Sequence, residues 1–269
     1  MVSSHGRFLW YELTTTDAEA AKVFYTKVMG WGTHDASTPA MSYTLFTVGD
    51  VTVSGVMNLP AEARRTGTRP RWIGYVGVDD LDAAVKRIER LGGSVTVPPT
   101  KIPNINSFAV VTDSQMATIA LLKWANTAQE PPLLRARGGV GWHELLTIDC
   151  AKAWDFYGAV FGWRESIALR GSGGTYQYFA IGADPIGGIL TKPATVPHSF
   201  WLYYFNVGDV DAAIRRVETG GGEIVKGPVE VPDGTWIVQC ADPQGAMFAL
   251  VGRRSYHAVG FMERIAALE

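Results

Sequence analysis

Two glutamates sit inside otherwise apolar strand patterns at matching places in the chain: Glu12 in FLWYELTT (8–15) and Glu144 in VGWHELLT (140–147). A carboxylate in such a setting is costly to bury without a partner, and burial raises its pKa toward the range where it can take and return a proton. Side chains alternate across a strand, so Trp10 shares a face with Glu12 and Trp142 with Glu144. Two chemistries are open. Each Glu is a structural acceptor for a tyrosine hydroxyl or loop amides, or Glu12 and Glu144 are catalytic carboxylates working as general acid/base. His143, beside Glu144, turns to the opposite face of the strand and reads as structural, with metal ligation as its alternative. The other histidines, His5, His34, His198 and His257, form no HxH or HExxH pattern. Cys150 and Cys240 fit no metal or redox spacing and read as small core residues. No Ser/His/Asp ordering, Gly-rich phosphate loop or dinucleotide fingerprint is present.

The elements that must position these residues come in copies. TTDAEAAKVFYTKVMGWG (15–32) returns as TIDCAKAWDFYGAVFGWR (147–164), an offset of 132, and WIGYVGVDDLDAAVKRIERLGG (72–93) returns as WLYYFNVGDVDAAIRRVETGGG (201–222), an offset of 129. This is an internal duplication. Within each half the same order of elements occurs twice. A strand (8–15) leads to Asp17 as N-cap of a helix with Ala21, Phe24 and Val28 on one face, closed by Gly30. Strand patterns follow at 32–38, 42–48 and 51–58. A second strand (71–78) leads to a helix over 80–91 capped by Asp80 and stopped by Gly92-Gly93, then to strands near 94–99, 107–112 and 117–123. The unit is β-α-β-β-β, used four times. Expected boundaries are a tail (1–7), a first domain (8–123), a linker (124–139), a second domain (140–252) and a C-terminal amphipathic helix (253–269).

At 269 residues, 47% hydrophobic and 19% charged, the chain is long enough for two domains with their own cores. A net charge of −2 argues against nucleic acid or an anionic membrane as partner. The one basic cluster, Arg64, Arg65, Arg69 and Arg71, lies in a loop between apolar runs and reads as solvated, with an anion-binding lip of a pocket as the alternative. MVSSHGR runs directly into a strand pattern and no apolar stretch approaches membrane length, so a cytoplasmic location is expected.

This β-α-β-β-β order resembles the vicinal oxygen chelate superfamily, which includes glyoxalase I, bleomycin-resistance proteins and extradiol dioxygenases. The resemblance rests on Phe24-Tyr25 with Gly30-Trp31, repeated as Phe156-Tyr157 with Gly162-Trp163, and on Asp242-Pro243-Gln244-Gly245 before the last strand. The first half has Asp113-Ser114-Gln115-Met116 at that turn. The fold implied is α+β, two tandem domains whose paired modules curl around clefts that take a small molecule. In metal-using members the resemblance places ligands on the first, fourth, fifth and eighth strands. Here those positions are Trp10 and Trp142, residues near Ser54 and Gly187, Ile73 and Leu202, and Ala120 and Ala249, none of them a competent ligand.

If the first-strand ligand position faces the cleft, Trp10, Trp142, Tyr75 and Tyr204 are ligand-binding candidates beside Glu12 and Glu144. Tyr43 and Tyr176 read as sheet packing, and Trp72 and Trp201, on the other face, as core. The expected function is metal-independent binding of a small apolar or aromatic molecule, with no cofactor and a monomer or homodimer as assembly. The alternatives are a metal-dependent lyase or dioxygenase using a divalent metal, and a metal-free enzyme using Glu12 or Glu144.

Overall fold

The computed structural model describes residues 4–39, 41–102, 106–124, 138–171 and 174–254. The expected linker and the expected C-terminal helix fall almost wholly outside them. The first half runs β1 (Phe8–Thr15), α1 (Ala18–Met29), β2 (Gly32–Asp35), β3 (Thr44–Val48), β4 (Val51–Asn58), α2 (Ala61–Arg65), β5 (Arg71–Gly77), α3 (Leu81–Arg90), β6 (Ser94–Ile102), β7 (Asn106–Thr112) and β8 (Thr118–Trp124). The second runs β9 (Val140–Thr147), α4 (Cys150–Phe161), β10 (Arg164–Gly171), β11 (Gly174–Ile181), β12 (Asp184–Thr191), β13 (Phe200–Asp209), α5 (Val210–Thr219), β14 (Glu223–Glu230), β15 (Trp236–Ala241) and β16 (Met247–Arg253). Short α2 replaces part of an expected loop, and β5 begins at Arg71, where the expected strand 71–78 starts.

Each long helix starts the same way. Asp17, Asp80, Asp149 and Asp209 hold extended backbone and accept a hydrogen bond from the backbone N–H three residues on, satisfying a donor that the helix itself leaves open. Gly30 and Gly162 end α1 and α4 in the left-handed region, which a side chain with a Cβ adopts only at a cost.

The two halves form two eight-stranded mixed sheets, β2-β3-β4-β1-β5-β8-β7-β6 and β10-β11-β12-β9-β13-β16-β15-β14. Modules therefore pair within each half, edge to edge, through antiparallel β1–β5 and β9–β13. One face of each sheet meets the helices and the other sheet in a continuous core that mixes residues of both halves. The opposite, open faces carry two smaller clusters, around Ile73, Tyr75 and Ala120 and around Leu202, Tyr204 and Ala249.

The core is closed by reciprocal bonds between the halves. Tyr25 donates to Asp242 (3.0 Å) and accepts from the Trp72 indole (2.9 Å); Tyr157 donates to Asp113 (2.9 Å) and accepts from Trp201 (3.0 Å). Trp31 donates to the Gly138 carbonyl and Trp163 to that of Gly6. Buried polar groups at a seam need such partners, and each bond to a charged carboxylate contributes about 1.5–3 kcal/mol. Cys240 is buried and Cys150 half-buried, both as free thiols. Among the described residues no helix is long and apolar enough to cross a membrane.

Candidate functional site

The β1–β5 register sets Trp10 against Tyr75 and Glu12 against Ile73, all on the open face of the first sheet. The Glu12 carboxylate accepts from Tyr75 (2.9 Å) and Tyr43 (2.9 Å), and the Trp10 indole donates to the Tyr43 hydroxyl (3.2 Å). Tyr43 comes from the first module and Tyr75 from the second, so Glu12 ties the two together. Burial raises its pKa above the ordinary 4.5, and the two tyrosine bonds oppose that rise. Both tyrosines are pushed up by burial and by the nearby carboxylate, so they remain protonated donors while Glu12 titrates.

The second sheet repeats this. Glu144 accepts from Tyr176 (3.1 Å), whose hydroxyl accepts from the Trp142 indole (2.8 Å). Here the fourth corner differs: the Gln239 amide reaches Glu144 (3.4 Å) and the Tyr204 hydroxyl (3.1 Å). Burial again raises the carboxyl, opposed by Tyr176, then Tyr204, then the charge of Lys226. Cross-strand register makes Val110 and Val97 the counterparts of Gln239 and Lys226 in the first half.

The structure thus gathers Trp10, Glu12 and Tyr75 into one open face and Trp142, Glu144 and Tyr204 into the other. Tyr43 and Tyr176, read from the sequence as packing, belong to the first and the second set respectively. The missed signal was a pair of matched glycines. A Cβ on Gly55 would land on the Tyr43 hydroxyl, and one on Gly188 would land on the Tyr176 ring. The glycines leave the hole that each tyrosine fills.

Those glycines also correct the fourth-strand projection. Ser54 and Gly187 point to the core, where Ser54 pairs with buried Phe46 and a Cβ on Gly187 would meet Phe179. Gly55 and Gly188 lie on the open faces instead, beside Glu12 and Glu144. The projected ligand positions on the open faces therefore hold Trp, Gly, Ile or Leu, and Ala, which offer a divalent ion no donor. Among the described residues no three His, Cys, Asp or Glu side chains cluster as a metal site.

His143 is on the far side of β9 from Glu144. Its Nε2 lies 2.5 Å from the Tyr11 hydroxyl, its Nδ1 lies 2.6 Å from the Ile186 carbonyl, and its ring stacks on Phe8 at 3.9 Å. A carbonyl only accepts, which assigns the proton to Nδ1 and leaves Nε2 to accept from Tyr11. His143 and Glu144 cannot share one metal across the sheet.

A groove of about 970 Å³ lies away from both open faces, between the β7–β8 turn and α4. Its floor is tied by Gln115, which exchanges two hydrogen bonds with the Asp149 backbone. It gathers none of the matched residues.

Paired modules, two tandem sheets and a carboxylate on each open face define a two-domain vicinal-oxygen-chelate architecture. Residues 7–121 and 139–250 match the Glyoxalase/Bleomycin resistance protein/Dioxygenase superfamily, and the chain belongs to that family. It is 32% identical over 244 residues, 90% of the chain and 93% of the relative, to CFP32 of Mycobacterium tuberculosis, provisionally named a glyoxylase. It is 31% identical over 260 residues, 91% of the chain and 92% of the relative, to the anthracycline biosynthesis protein DauV of Streptomyces sp. strain C5. Among solved structures, the Mn(II)-bound glyoxalase of Novosphingobium aromaticivorans superposes with a TM-score of 0.64 at 16% identity, covering 94% of this chain and 84% of that one. The 2,3-dioxygenase LapB of Pseudomonas sp. KL28 superposes at 0.63 and 11% identity, covering 95% and 94%. These two likenesses concern the fold.

Proposed function

We propose that the chain binds a small apolar or aromatic molecule on the open face of each sheet, without a divalent metal. The observation that carries this reading is that the projected ligand positions on both open faces hold Trp, Gly, Ile or Leu, and Ala, while a matched set of Trp, Glu and two Tyr side chains is bonded together on the same faces. Half-exposed Trp10 and Trp142 offer stacking surface, and the carboxylate–tyrosine chain orients one polar group of the ligand. The Streptomyces relatives named for anthracycline biosynthesis support an aromatic ligand, since an anthracycline is a planar aromatic molecule.

Binding is tested by titrating the chain with a planar neutral aromatic such as 2-naphthamide, following tryptophan fluorescence. Saturable quenching that falls at least tenfold in affinity in Trp10→Ala or Trp142→Ala is expected. Elemental analysis of protein purified without chelator should find less than stoichiometric Mn, Fe, Ni or Zn; a full equivalent overturns the metal-free part.

A second reading follows from the raised carboxyl of Glu144. Held by Tyr176 and Gln239 on an open face, it is placed to take a proton from a bound ligand. Glu144→Gln would then abolish turnover while leaving ligand binding intact. Loss of binding instead would make Glu144 a binding residue.

A further inference from the structure

Arg71 opens β5 opposite Thr14, two residues along from the Ile73 that faces Glu12. Alternation puts its side chain on the same open face as Glu12 and Tyr75, and its guanidinium confirms the side, since Nη1 donates to Thr118 Oγ1 at 3.1 Å on neighbouring β8. That is its one side-chain bond among the described residues. No carboxylate pairs with it, its Nε is buried without an acceptor, and its Nη2 makes no hydrogen bond. Its cluster-mates are differently used. Arg64 donates to the Thr16 carbonyl and Arg65 pairs with Glu62.

A half-buried guanidinium without an acid is unusual, because burying its charge costs free energy that a counter-ion normally offsets. Burial accordingly lowers the Arg71 pKa, with no opposing charge acting on it. Nε is buried out of reach, but Nη2 and the second hydrogen of Nη1 form the end-on fork through which a carboxylate binds a guanidinium by two parallel hydrogen bonds. Strand spacing puts the Arg71 row about 7 Å beyond the Glu12 row and about 13 Å beyond the Trp10 row. A molecule lying along β1 and β5 would stack on Trp10, pass Glu12 and end at Arg71.

We infer that the first cleft takes an aromatic ligand bearing one carboxylate, with Arg71 as the anion-binding residue. The second cleft is not built for the same end group at that place. Register puts Phe200 at the position of Arg71, Leu146 at that of Thr14 and Met247 at that of Thr118. The duplication thus carries its own control.

The inference rests on the open faces being binding surfaces, and the experiment separates the two. The full chain is titrated with 2-naphthoate and with 2-naphthamide, which share the ring and differ in charge. The expected result is a preference of roughly tenfold or more for naphthoate at one site, lost in Arg71→Gln and only partly kept in Arg71→Lys, which retains charge without the fork. A thermal midpoint and circular dichroism spectrum like those of the parent chain report that Arg71→Gln is folded. If naphthamide binds in a Trp10-dependent way but naphthoate binds no better, or if Arg71→Gln leaves the preference intact, the anion site is overturned and the cleft stands. If neither probe binds, both fall together.

Discussion

The two open faces share a frame and differ in polarity from one end to the other. Both hold a tryptophan, two tyrosines and a glutamate at matched positions. The first places its cation at the start of β5, with Arg71 beside Thr14 and Thr118, and is apolar at Val97 and Val110. The second reverses this, with Phe200, Leu146 and Met247 at the β13 end and Lys226 and Gln239 on β14 and β15. The copies keep the Trp, Glu and Tyr floor that also ties the modules together, and they changed the side chains at its two ends. On the proposed function, two faces with the same floor and opposite polar ends would suit two different molecules, or two orientations of one.

The largest effect expected on this comparison comes from the seam, where the halves are alike. Asp113 and Asp242 each accept two backbone N–H bonds of their own turn and one tyrosine hydroxyl from the other half. Replacing either by Ala strands a buried tyrosine and two amides, and should cost about 3 kcal/mol or more in denaturant unfolding. The two losses should agree within about 1 kcal/mol; a larger gap would mean the seam is less symmetric than its bonds.

An intermediate effect is expected where a cleft can be broken singly. Gly55→Ala or Gly188→Ala drives a Cβ into Tyr43 or Tyr176 and should destabilise by about 1–3 kcal/mol through overpacking. Each should abolish binding at its own cleft only. Loss at both clefts would show that they are coupled, against the picture of independent floors.

The smallest effect is in pH dependence. Burial holds Glu12 and Glu144 above their ordinary 4.5, so the folded chain grips those protons more tightly than the unfolded one. Their contribution is fully present below about pH 4.5 and is lost as pH rises through the raised values, so stability falls over that window. Glu12→Gln and Glu144→Gln should each flatten the slope, since neither variant has a proton to release there. The Glu12 variant should flatten it more, because Lys226 favours ionised Glu144 and has no charged counterpart beside Glu12. Equal flattening, measured by unfolding at a series of pH values, would remove Lys226 from the account.

Much of this architecture is local and was legible in the chain. Asp17, Asp80, Asp149 and Asp209 cap helices because a short acidic side chain reaches a backbone amide three residues away, a fact that needs no tertiary contact. Alternation placed Trp10, Glu12 and Tyr75 on one face for the same reason, since strand period is a backbone property. The duplication and the lack of metal donors at Trp10, Ile73 and Ala120 are likewise matters of residue identity. The tertiary structure alone decided the rest. Tyr43 meets Glu12 across 31 positions with no periodic signature, and Tyr11 meets His143 across 132, the offset of the duplication itself, a contact made only because the two copies pack against each other. Arg71 belonged to a basic cluster at the start of an expected strand, and only sheet register fixed its face and left it without an acid. A residue's type and its neighbours in sequence set what it can do. Whether a distant group satisfies it, or leaves it open for a ligand, is settled only when the strands that carry both are laid side by side.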